Sequence, residues 1–113
     1  MLNGHSLYLA FKGSLTENYV LQSLLNQTEE LPRYWTSENT AEVDFMLPYK
    51  NEIIPIEVKS GENVKSKSLS IYRKNYEPRI SLRFSLKNLN FDDGLLNIPL
   101  FLVDKTFHLL EKL

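Results

Sequence analysis

Asp44, Glu57 and Lys59 are the residues whose types and spacing could do chemistry. They stand in AEVDFMLPYKNEIIPIEVKSG, Ala41 to Gly61, which reads as two apolar-rich strands joined by a turn. Ala41, Val43, Phe45 and Leu47 alternate with Glu42, Asp44 and Met46, and Ile54, Ile56 and Val58 alternate with Pro55, Glu57 and Lys59. Side chains two apart share a face of a strand, so each strand offers one apolar face and one that carries charge. Pairing as a hairpin through the turn at Pro48 to Asn51 makes the charged faces coincide, because both apolar faces need the same core. Two carboxylates and an ammonium then meet. Such a set suits Mg²⁺ (or Mn²⁺), a hard cation that takes one or two carboxylates and keeps several waters. A bound dication stabilises charge developing on a phosphoryl oxygen, and a lysine beside it can orient or help deprotonate a water. This is what phosphodiester hydrolysis requires. Read without function, the same set is an ion-paired face of a sheet.

The elements that must position these residues follow from the pattern around them. Glu17, Val20, Leu21, Leu24 and Thr28 fall on one helical stripe, which predicts a helix from about Leu15 to Glu29 that Pro32 keeps from running further. Glu17 thus turns toward the sheet and is a candidate fourth member of the site. The same residue also completes a capping box, Ser14-Leu15-Thr16-Glu17, in which it would bond back to the Ser14 amide. Residues 1–13, with Gly4, Gly13 and no clear period, read as a lead-in. Arg33 to Ser37 suggests a strand, with Tyr34 and Trp35 as packing residues. A second helix over Val64 to Tyr76 sets Leu69, Tyr72 and Tyr76 on one face and Lys67 and Lys74 on the other, and Pro78 closes it. Arg79 to Leu86 reads as a strand with Ile80, Leu82, Phe84 and Leu86 inward and Arg79, Ser81, Arg83 and Ser85 outward. Lys87 to Asn97 reads as a loop holding an Asp-Asp-Gly turn, and Pro99 opens a last helix through about Leu110, although Phe101-Leu102-Val103 also fits a strand. The expected class is α/β (α+β), in the order αβββαβ plus a C-terminal element.

Composition sets the bounds. The chain has 113 residues, 42% hydrophobic and 24% charged, the balance of one folded domain spanning 1–113. It has no cysteine, which excludes disulfides and thiolate zinc sites. No apolar run approaches the roughly 18 residues of a membrane helix, and the expected location is cytoplasmic. The net charge of −1 conceals an uneven distribution: residues 62–87 hold 7 basic and 2 acidic side chains, a local charge of +5 in an otherwise acidic chain. Lys65, Lys67, Arg73, Lys74, Arg79 and Arg83 could track a phosphate backbone, of DNA or of RNA, or form a wet face. Glu42 shares the face of Asp44 and reads as solvated or accessory. His5 and His108 have no ligand-spaced partner.

AEVDF, the interval of thirteen positions to Glu57 and IEVKSG, preceded by KGSLTENYV on a helix, together resemble the PD-(D/E)xK nuclease superfamily. More narrowly, the chain resembles the uncharacterised domain found C-terminal to AAA-type ATPases of bacteria and archaea, over about Phe11 to Leu110. The resemblance implies a restriction-endonuclease-like core, a central mixed sheet flanked by helices. It implies Asp44 and Glu57 as metal-binding carboxylates, Lys59 as catalytic lysine and Glu17 as the first-helix acid. Val43 stands where the superfamily name has proline. No Walker-type run is present, so the chain looks like the C-terminal fragment of a longer ATPase-linked protein, with an ATPase domain as partner in cis or in trans. Self-association as a homodimer would cover a Tyr and Leu face left bare without that half. The function expected is Mg²⁺-dependent nuclease action on DNA or RNA; the alternative is a non-catalytic DNA-binding or regulatory module that retains the fold.

Overall fold

Alternating apolar residues build a sheet in which both faces need cover, and helices before and after the strands supply it. The computed structural model describes residues 4–28, 33–36, 42–61 and 67–113. Helix α1 (Gly4–Gln27) leads to β1 (Arg33–Thr36), β2 (Glu42–Tyr49) and β3 (Glu52–Val58). Helix α2 (Lys67–Tyr76) follows, then β4 (Ser81–Ser85), β5 (Asn90–Asp92) and β6 (Leu95–Pro99), a 3₁₀ helix (Leu100–Lys105) and α3 (Thr106–Glu111). The strands form one mixed six-stranded sheet in the order β1-β2-β3-β4-β6-β5.

The β2–β3 hairpin turns through Lys50 (φ 46°) and Asn51 (φ 65°), the two left-handed positions of a tight two-residue connection whose twist matches the strands. Tyr49 pairs with Glu52 and Phe45 with Ile56. Pro48 and Pro55 stay within these strands because each sits at an alternate, non-hydrogen-bonded position of this ladder. From β3 the chain crosses through α2 to β4, which pairs parallel with it, as a helical crossover dictates. The main core lies between α1 and the sheet: Val20 and Leu24 pack with Phe45, Leu47, Ile54, Ile56, Leu82, Phe84, Ile98 and Val103. On the other face α2 places Leu69 and Tyr72 against Val43, Met46 and Leu95.

Several expectations are corrected. The helix begins at Gly4 and not Leu15, so the supposed lead-in is helical from Gly4 on and Ser14 lies inside the helix, which removes the capping box. The helix ends at Gln27; residues 29–32 lie outside the described part. Leu86, expected inward, is 58% exposed, whereas Ser81 and Ser85, expected outward, are fully buried; Ser85 lies against Asn97 and the turn at Lys87, and the Ser81 N–H donates to the Gly94 carbonyl. Tyr76 is exposed at the end of α2. The expected loop at Lys87 to Asn97 contains a β-hairpin, β5–β6, whereas Pro99 both ends β6 and caps the 3₁₀ helix that runs into α3, so the expected last helix through about Leu110 is present in two pieces.

Candidate active site

Helix α1 brings Glu17 to the sheet through its own stripe: Val20 and Leu24, three and seven positions on, are fully buried against β2, β3 and the 3₁₀ helix. The C-terminal end of α1 is fixed by the Gln27 amide, whose Nε2 donates to the Ser23 carbonyl at 2.9 Å and to the Val103 carbonyl at 2.9 Å. Glu17 lines a cavity of about 390 Å³ with Asp44, Glu57, Lys59, Val43, Val58, Lys67 and Ser68. The four residues singled out in the sequence therefore converge from α1, β2 and the end of β3.

A break in the hairpin shapes the floor of this cavity. Continuing the ladder past Phe45 and Ile56 would set Asp44 opposite Glu57 and give the Val58 amide to the Val43 carbonyl. Instead the Val58 N–H donates to Asp44 Oδ2 at 2.6 Å. The side chain takes the place of the neighbouring backbone, β2 leaves regular alternation, and Val43 packs with Leu69 and Tyr72 under α2 while Phe45 and Leu47 stay in the main core. Val43 therefore departs from the expected common face. On the other side of β3 the sheet continues, with the Lys59 N–H donating to the Phe84 carbonyl at 2.8 Å.

Glu57 is 5% exposed. Its Oε1 lies 3.6 Å from Lys59 Nζ, and its Oε2 accepts from Arg83 Nε at 3.1 Å. Burial pushes the Asp44 carboxyl above its ordinary pKa, and the charge of Glu57 adds to the rise. The Val58 amide, a hydrogen bond with Glu17 and the charge of Lys59 pull the other way without cancelling it. A hydrogen bond between two carboxyl groups needs one proton between them, so the Glu17–Asp44 contact is a place where a cation could substitute for a proton.

The donor set fits a hard dication: carboxylate oxygens on a shared cavity, with no thiolate or imidazole. Among the described residues no three His, Cys, Asp or Glu side chains form a metal cage. Mg²⁺ does not need one, since one or two carboxylates with water and substrate phosphate suffice.

The expected basic stripe is not one surface. Arg83 pairs with Glu57. Arg79 makes a two-pronged pair with Glu52, at 3.0 and 2.6 Å. Arg73 donates to the Asp93 carbonyl, with the Asp93 carboxylate at 3.8 Å. Lys67 lines the candidate site, and Lys74 lies with Arg73 and Arg79 on a second cavity that Glu77 and Asp93 share. Lys65 lies outside the described residues, as do the side chains of Glu42, Tyr34, Trp35, Ser14 and His5; His108 is exposed on α3.

Arg83 is the residue whose partner sequence reasoning did not find. Its outward alternation on β4 was visible; its neighbour was not, because parallel register is set by the crossover. That register places Glu57 beside Arg83, Arg83 beside Asn97, and Asn97 beside Asn90, so a polar row crosses the sheet from β3 to β5. The Asn97 amide accepts from Ser85 Oγ at 2.7 Å and donates to the carbonyls of Lys87 and Asn88, holding the turn after β4.

No helix among the described residues is long and apolar enough to cross a membrane. No curated protein and no solved structure matches the chain significantly. The family model of a domain of unknown function, DUF4143, matches residues 12–103, which takes in the greater part of α1, all six strands and α2, and on that match the chain belongs to the DUF4143 family.

Proposed function

We propose that this domain is a Mg²⁺-dependent nuclease of the PD-(D/E)xK kind, hydrolysing phosphodiester bonds of DNA or RNA beside an AAA-type ATPase domain. One observation carries the reading: Glu17, Asp44, Glu57 and Lys59, drawn from three elements, line one cavity around a buried carboxylate. A ladder broken by a carboxylate beside a nearly buried glutamate, in one cavity with a lysine, is an arrangement found preferentially at functional sites.

Asp44 and Glu57 would hold the ion, Mg²⁺ or Mn²⁺, and Glu17 would support Asp44. When bound, the ion supplies Lewis-acid stabilisation of the phosphoryl oxygens and a lowered pKa for a bound water. The chain's own residues do the rest. Lys59, with its side chain 34% exposed, lines the cavity and would orient the attacking water and offset charge on the transferring phosphate. Lys67 adds a second cation at the rim, from the first residue of α2. Loss of supercoiled plasmid in magnesium, absent in EDTA and reduced by about 10²-fold or more in Lys59→Ala, is the expected result.

A second reading also has an observation behind it. Glu57 already has two cationic partners and Asp44 a backbone amide, so the site is satisfied within the protein and could persist as the frame of a non-catalytic binding module. Salt-sensitive binding of DNA with no cleavage in Mg²⁺ or Mn²⁺ would decide for it.

A further inference from the structure

We infer that Arg83 is a positioning residue that makes Glu57 a one-oxygen ligand and thereby tunes the site to a small hard cation, Mg²⁺ or Mn²⁺, against Ca²⁺. The inference rests on the metal-site reading above and concerns a residue outside its core set.

The two oxygens of Glu57 are not equivalent. Oε2 accepts from Arg83 Nε at 3.1 Å, where the arginine side chain is only 16% exposed. Oε1 faces Lys59 at 3.6 Å, a longer contact to a side chain that is 34% exposed. Of the two cations Arg83 is the one held in place: it stands at the centre of the sheet, with Glu57 in register on one side and Asn97 on the other. Lys59 follows the last residue of β3 and is the partner that can yield. A guanidinium fixed on one oxygen leaves the other directed at the cavity shared with Asp44.

The consequence for metal choice is geometric. Ca²⁺ takes six to eight oxygens at about 2.3–2.6 Å and commonly uses both oxygens of one carboxylate, whereas Mg²⁺ needs near-octahedral single-oxygen ligation at about 2.0–2.1 Å. With Oε2 engaged by Arg83, chelation through both oxygens requires breaking a nearly buried ion pair. Arg83 thus acts against the larger ion without touching it.

The test is calorimetric titration of Mn²⁺, Mg²⁺ and Ca²⁺ into the intact chain and into Arg83→Gln and Arg83→Lys, with thermal unfolding as the check on folding. The expected result is binding of Mn²⁺ and Mg²⁺ in the parent protein with Ca²⁺ weaker. Arg83→Gln should weaken Mn²⁺ by about 10–100-fold, the usual effect of removing a ligand's partner, and narrow the preference over Ca²⁺. Arg83→Lys keeps the charge but loses the guanidinium geometry; it should recover part of the affinity while still showing the narrowed preference. A purely structural arginine would shift unfolding and leave the ratio of the ions unchanged. Parent-like affinity and preference in both variants would overturn the inference and leave the metal site standing. Absence of any metal binding by the parent protein would overturn the metal reading, and this inference with it.

Discussion

At the residue scale, Asp44 shows what burial does to a carboxyl that already has a backbone donor. Its carboxyl is half-buried, with a hydrogen bond to Glu17 and the charge of Glu57 nearby, and burial raises its pKa despite the Val58 amide. A carboxyl with a raised folded pKa binds its proton more tightly in the folded state than in the unfolded one. Stability is then lost as pH rises from the unfolded value, about 3.9, through the folded one, and the cost is fully present above it. Asp44→Asn removes that cost and keeps an oxygen for the Val58 N–H. In EDTA at neutral pH the variant should melt above the parent protein, and the difference should vanish below about pH 3.9. A melting curve that drops at neutral pH would mean that the ionised carboxylate is itself a stabilising partner. Asp44, Glu57 and Lys59 were legible because alternation puts them on one side of two strands that a turn must pair. Their convergence with Glu17 followed from the helical stripe. The carboxylate's capture of the Val58 amide was not legible, since alternation assumes an unbroken ladder.

At the scale of elements, the failures trace to local signals that tertiary packing overrode. Gly13 and the lack of a period hid the first part of α1, where propensity alone argues for a break. The β5–β6 hairpin was hidden differently: Asp93-Gly94 is a strong two-residue turn signal, but β5 is three residues long and exposed throughout, too short to show alternation. The turn makes a sharp demand of Gly94. Its φ is +77°, and a Cβ there would lie 2.9 Å from the Arg79 carbonyl oxygen, while its own carbonyl accepts the Ser81 N–H at 2.8 Å. Gly94→Ala therefore meets both backbone strain and a clash with an atom that cannot rotate away. A loss of about 1–3 kcal/mol is expected in urea unfolding, larger than a surface Gly→Ala change on a helix would give with the opposite sign. A neutral result would mean that the hairpin shifts as a unit away from the start of β4.

At the scale of the whole molecule, the distribution of charge limits what the protein can do with a polyanion. The sequence groups six basic residues over 65–83, and a phosphate contact from each would give a slope of log K against log salt near −5 on duplex DNA, at about 0.9 per neutralised phosphate. The fold divides them. Arg73, Arg79 and Arg83 are engaged with Asp93, Glu52 and Glu57, and an arginine already paired with a carboxylate exchanges one anion for another when it meets a phosphate. Lys67 and Lys74 enter none of the ion pairs found among the described residues, and Lys65 lies outside them. Three of the six remain, and with Lys59 at the site the slope for a labelled duplex followed by fluorescence anisotropy between 50 and 200 mM salt should be about −3 to −4. A slope steeper than about −5 would instead require the three arginine pairs to open on DNA, and Arg83 would then leave Glu57 at the moment the substrate arrives.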